Sequence, residues 1–223
     1  MTKELFAQAM GKFFAGLILM GLLLFAPAGT MDYPEGQRLM LLLFAPMFVA
    51  GVVMMRKCPD LLRKRLNMKE KLGEQTQVIA LSGVMFVSGF VAAGLCFRFG
   101  FMMLPEWVSW ASCVMFLASY ALYAQVLREN AFLSRTIEIQ ENQHVVDTGL
   151  YGVVRHPMYI ASILLFLSMP LILRSWLSLI IFLAYPAIIV KRILSEEAFL
   201  AENLEGYTEY MHRVRWRLVP FVW

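Results

Sequence analysis

Apolar residues run in long blocks separated by short polar stretches, and this rhythm governs the whole chain. Six blocks stand out, over about 12–28, 37–55, 77–97, 106–126, 158–173 and 175–190. Runs of roughly 16 to 22 apolar residues suit a hydrocarbon layer roughly 30 Å thick. The pattern predicts an all-α, polytopic membrane helical bundle with five to six transmembrane segments. Only Leu173-Arg174-Ser175 separates the last two blocks, which predicts a C-terminal helical hairpin. Pro170 and Pro186 are expected to kink its arms, and the hairpin need not span fully; neighbouring helices must then satisfy the freed backbone groups. The first block is followed by Ala26-Pro27-Ala28-Gly29-Thr30, loosely like a cleavage site. A second apolar block follows at once, so a retained helix is expected.

Composition agrees: 60% of residues are hydrophobic and 16% charged, against roughly 25% charged in soluble domains. The basic residues sort by loop. Seventeen of the twenty Lys and Arg fall on one side of the predicted bundle, and only Arg38, Arg98 and Arg174 fall on the other. The positive-inside rule puts both termini and both long loops in the cytoplasm. Cations sorted in this way form no water-facing patch, so a nucleic-acid partner is not expected. Cys58, Cys96 and Cys113 show no CxxC spacing and suggest no metal or disulfide; Cys96 and Cys113 read as small hydrophobes. Ser82, Gly83, Ser88, Gly89 and Ala93 give the third block a face for close helix packing. No linker marks a boundary. The expectation is one integrated membrane domain, with N-terminal transmembrane helices over 1–126 and a more polar C-terminal region over 127–223.

Polar chemistry concentrates in the last hundred residues. Asp147-Thr148-Gly149 reads as a turn, and Pro157 suits the first position of a helix, which puts His156 near its N-cap. A helix N-terminus with Arg155 beside it can receive an anion, although a capped interfacial helix explains the same residues. The predicted hairpin returns Glu196 and Glu197 towards Tyr151, Arg155 and His156. Carboxylates facing cations and aromatic rings suit a zwitterionic, cationic ligand, since aromatic faces attract a sulfonium. The alternative is that Ser195, Glu196 and Glu197 begin an amphipathic surface helix. His144 and His212 read as surface histidines, and the basic tail suits contact with anionic membrane lipids. GxGxxG, P-loop, HExxH and GxSxG motifs are absent from the sequence.

The motif from Gln143 through Val145, Val146, Thr148, Gly149, Tyr151 and Val154 to Arg155-His156-Pro157-Met158-Tyr159 resembles the isoprenylcysteine carboxyl methyltransferase family. Glu196-Glu197-x-x-Leu200 and Tyr207-x-x-Tyr210-x-x-Arg213-Val214 extend the likeness, so that it covers roughly the last third of the chain. That family is in turn related to phospholipid methyltransferases, and the compact chain looks like a prokaryotic member. The resemblance implies an integral membrane enzyme that uses S-adenosylmethionine. Its acceptor would be lipidic or prenylated and reached from the bilayer, with carboxyl O-methylation of an isoprenylcysteine-type substrate as the leading reaction. It implies a cofactor site lined by Gln143, Val145, Gly149, Tyr151, His156, Pro157, Tyr159, Glu196 and Glu197, with Arg155 and Arg213 orienting the acceptor carboxylate. It also implies residence in the inner membrane of a prokaryote, or in the endoplasmic reticulum of a eukaryote. Gln143 stands where eukaryotic members typically carry histidine, which bears on the acceptor. Phospholipid N-methylation and small-thiol S-methylation are the alternatives. An NADPH-dependent sterol reductase ranks below them, because Pro157-Met158 replaces the asparagine expected before Tyr159.

Overall fold

The computed structural model describes residues 3–66, 73–130, 132–133 and 139–223. Lys69, Lys71 and Arg135, which contribute to the charge sorting, lie outside them. The described residues form helices α1 (Lys3–Ala28), α2 (Pro34–Lys57), α3 (Pro59–Leu66), α4 (Gly73–Phe99), α5 (Glu106–Glu129), α6 (Pro157–Ile172), α7 (Trp176–Phe182), α8 (Ala184–Asn203) and α9 (Tyr207–Arg213). They contain no sheet, only one isolated bridge between Met103 and Ser175. Five stretches are long and apolar enough to cross a membrane: Glu4–Ala28, Pro34–Lys57, Thr76–Phe99, Glu106–Glu129 and Trp176–Asn203. The protein is therefore an all-α, multi-spanning membrane protein.

The shorter apolar helix is α6, whose sixteen residues span about 24 Å, less than a hydrocarbon layer. α6 packs along α5, α1 along α4, and α4 against α7 and α8. The sixth apolar block is not one element. It breaks at Leu183, one turn before the Pro186 ring, which has no N–H to offer the Phe182 carbonyl. Beyond the break α8 continues well past residue 190, so Glu196 and Glu197 lie inside it rather than opening a separate surface helix. Pro170 is absorbed within α6 without ending it.

Small residues bring the helices close at two points. A Cβ on Gly89 would fall 2.4 Å from the Phe182 ring, and one on Gly94 would fall 2.6 Å from the Leu24 carbonyl oxygen. Ala93 is fully buried beside them, whereas Gly83 has no neighbour within 4 Å. Ser88 bonds back to the Val84 carbonyl of its own helix. The packing face is therefore narrower than the run of small residues suggests, and it is shifted to include Gly94.

At the end of the bundle where α6 stops, polar groups knit the helix ends together. Arg174 has a positive φ of 57° and pairs with Glu35 at 2.9 Å while donating to the Leu104 carbonyl at 2.8 Å. Arg38 donates to Ser109 Oγ, which donates to the Ile172 carbonyl at 2.7 Å. The Tyr33 hydroxyl donates to the Leu173 carbonyl. Arg98 lies beside Gly29 at this same end. The three cations that charge sorting separates from the rest are thus gathered together.

Candidate active site

The opposite end begins with a latch. Gly149 has φ +59°, a conformation that favours glycine, and opens a single 3₁₀ turn, Gly149–Gly152. The Leu150 N–H donates to Glu129 Oε2 at 2.8 Å, and a Cβ on Gly149 would fall 2.6 Å from that oxygen. Gln125 holds the other oxygen at 2.7 Å. The end of α5 thereby fixes the turn that leads into α6. Pro157 occupies the first helical position and His156 the N-cap, as the spacing predicts. His156 makes no side-chain capping bond. Its ring turns away to Glu197 instead.

Glu197 is a buried hub. Oε1 accepts from Arg155 Nε at 2.7 Å and lies 3.1 Å from His156 Nε2, while Oε2 accepts from Arg217 Nε at 2.8 Å. The Glu197 and Arg155 side chains are each only 6% exposed, so the cost of burying these charges is offset by mutual pairing. Arg155 Nη1 also donates to the carbonyls of Val214 at 2.7 Å and Arg215 at 3.1 Å. The chain after α9 runs alongside: the Arg155 N–H donates to the Trp216 carbonyl and the His156 N–H to the Arg217 carbonyl, both at 2.9 Å.

Next to this hub lies a small cleft of about 100 Å³, partly open to solvent. Its walls include Asn130, Phe132, Gln143, Val145, Tyr151, Arg155, His156, Met158, Tyr159, Arg192, Glu196, Leu200, Tyr207 and Tyr210. The Tyr159 hydroxyl donates to Glu196 and accepts from Arg192 Nε at 2.9 Å, which ties α6 to two successive turns of α8. The Tyr210 hydroxyl donates to the Tyr151 carbonyl at 2.8 Å. Burial pushes the phenols of Tyr151, Tyr207 and Tyr210 well above the usual range; at Tyr207 the Glu196 and Glu197 carboxylates push further in the same direction. All three stay neutral at physiological pH. The cleft therefore offers one carboxylate, two arginines, several uncharged aromatic rings and apolar side chains, a lining suited to a zwitterionic ligand with a flat apolar part.

Of the eleven site residues proposed from the sequence, seven line the cleft: Gln143, Val145, Tyr151, Arg155, His156, Tyr159 and Glu196. Four lie behind or outside it. Gly149 carries the turn, Pro157 starts the helix, and Glu197 is the buried hub. Arg213 is 64% exposed and pairs with Asp147 at 2.7 Å. Sequence reasoning missed Asn130, Phe132, Met158, Arg192, Leu200 and Leu204 as wall residues. It also did not anticipate that His144, though exposed, packs edge-on against Phe132. Tyr207 and Tyr210 entered only as family-motif positions. Their spacing of three is the helical signal that puts both rings on one face of α9.

The architecture is that of a multi-spanning helical membrane protein with a polar cleft at the ends of two apolar helices. Residues 107–206 match the sequence model of the family described as phospholipid methyltransferase. The match covers 100 of the 223 residues. No curated protein matches the chain. A solved structure of the eukaryotic intramembrane Ras methyltransferase, isoprenylcysteine carboxyl methyltransferase, is similar, with a TM-score of 0.49 and 15% identity over 96% of this chain and 84% of that one.

Proposed function

We propose that the protein is an S-adenosylmethionine-dependent methyltransferase that modifies a lipid-like acceptor taken from the bilayer. The carrying observation is the cleft itself: a carboxylate, Glu196, and two arginines among neutral tyrosines and apolar side chains, with all of the lining but Tyr207 and Tyr210 inside the segment that matches a methyltransferase family. These residues fit the cofactor. Glu196 suits its ammonium or ribose hydroxyls, and the faces of Tyr151 and Tyr207 suit a sulfonium. Val145, Leu200 and Leu204 offer apolar surface for a base. When bound, the cofactor supplies an electrophilic methyl group. The chain's own work is to hold cofactor and acceptor in line and to keep water out of the transfer path. Residues 127–223 would form the catalytic region, facing the cytoplasm in the inner membrane of a prokaryote.

Carboxyl O-methylation of an isoprenylcysteine-type lipid is the leading reaction, since a carboxylate is already ionised and needs no strong base. A second reading, N-methylation of an aminophospholipid, is favoured by a specific observation. Arg155 is committed through Nε and Nη1 to Glu197 and tail carbonyls, and Arg213 does not line the cleft. That geometry does not support Arg155 and Arg213 acting together as a carboxylate clamp, although Arg155 and Arg192 both line the cleft. The test is labelled-methyl transfer by detergent-purified protein to a farnesylcysteine analogue, to phosphatidylethanolamine and to a small thiol. Calorimetric titration with S-adenosylmethionine and with NADPH accompanies it. Saturable S-adenosylmethionine binding with transfer to one lipid acceptor is expected. Binding of NADPH alone would overturn the reading.

A further inference from the structure

We infer that Arg217 is a positioning residue for the cleft: acting through Glu197, it fixes the His156 ring with a proton on Nε2, leaving Nδ1 as the atom His156 offers to a ligand. The inference rests on reading the cleft as the cofactor site. An ionised carboxylate only accepts hydrogen bonds, so Nε2 at 3.1 Å from Glu197 Oε1 must be the protonated nitrogen. Nδ1 carries no hydrogen bond among the described residues, and His156 lines the cleft. In the neutral ring Nδ1 is then an acceptor, complementary to a donor such as the ammonium of an amino acid.

Glu197 holds that tautomer only while its own orientation is fixed. Oε1 is shared by Arg155 and His156, whereas Oε2 has Arg217 as its one partner among the described residues. The last torsion of a glutamate is broad and roughly two-fold, so a carboxylate held at one oxygen turns easily. The longer contact, to His156, is the one lost first. Arg217 is itself held at several points. Its guanidinium carbon lies 5.0 Å from the Trp223 ring centre, and its N–H donates to the Trp223 carbonyl at 3.0 Å. Its own carbonyl accepts the His156 N–H. The tail therefore reaches His156 twice, once by main chain and once through Glu197.

The chain contains three histidines, so side-chain nitrogen spectra of protein labelled with ¹⁵N-histidine can assign His156 by its loss in His156→Gln. The unsubstituted protein should show His156 as the Nε2-protonated tautomer. Arg217→Met should give a mixture of tautomers and weaken S-adenosylmethionine binding by about tenfold while kcat changes little, since losing one hydrogen bond to a charged group of a ligand costs about that much. Arg217→Lys, which keeps a cation beside Oε2, should restore both. A proton on Nδ1 in the unsubstituted protein overturns the inference without any variant having to fold. So does an unchanged ring signal in Arg217→Met, even if stability falls. If the unsubstituted protein shows the expected tautomer but does not bind S-adenosylmethionine, the functional reading fails and the positioning geometry stands.

Discussion

The two ends of the bundle solve the same problem differently. At each, the α6–α8 hairpin presents charged side chains to other parts of the chain, and at each an arginine beside α6 meets a glutamate. At the far end Arg174 meets Glu35, with the arginine side chain 26% exposed, and the surrounding polar groups mostly close helix ends onto one another. At the cleft end Arg155 meets Glu197 with both side chains 6% exposed, and a second layer of polar groups stands in front of the pair. The first end is a clasp. The second is a clasp with a cavity built against it, and that added layer distinguishes a helix junction from a site.

The sharpest test of the contrast is to remove each glutamate. Glu197→Ala leaves Arg155 buried without its anion and should destabilise by about 3–5 kcal/mol, the usual cost of breaking a buried pair. Glu35→Ala should cost about 1–2 kcal/mol, because water reaches Arg174. Thermal unfolding in detergent measures both, and equal losses would erase the distinction. Gly149→Ala comes next, at about 2 kcal/mol, because the new methyl meets Glu129 in a positive-φ conformation. Its counterpart at the far end, Arg174→Gly, relieves a positive φ while losing the Glu35 pair, and should therefore cost less. Glu196→Gln should lower S-adenosylmethionine affinity about tenfold, or about 1.4 kcal/mol, with little change in unfolding temperature, since it faces the cavity rather than the hub. Arg213→Ala should be the mildest, under about 1 kcal/mol, as its ion pair is exposed. A loss of methyl transfer in that variant with cofactor binding intact would restore an acceptor role for Arg213.

Much of the architecture was legible because a membrane imposes it: apolar blocks of the right length and basic residues sorted by side specify the helices and their ends. The break at Leu183 was half legible, since Pro186 signals a kink but not that one block becomes two helices. Within the site, local chemistry was readable and direction was not. Glu196 and Glu197 are adjacent in sequence and look equivalent there. Successive residues on a helix point about 100° apart, so one faces the cavity and the other faces Arg155 and Arg217. Nothing local to Arg217 distinguishes it from Arg215, since its role depends on a glutamate twenty residues earlier. Leu204 and Arg192 were missed for the same reason: wall residues are selected by where helices converge.

The pairing of Arg155 with the segment after α9 also bears on biosynthesis. Its carbonyl partner on Arg215 lies 60 residues further along the chain. During synthesis the hairpin can enter the membrane before Arg155 and Glu197 have met their partners at Val214, Arg215 and Arg217. Anchoring of Arg155 therefore waits on residues made after the hairpin, and a chain stalled before Val214 would lack the carbonyls that hold its guanidinium.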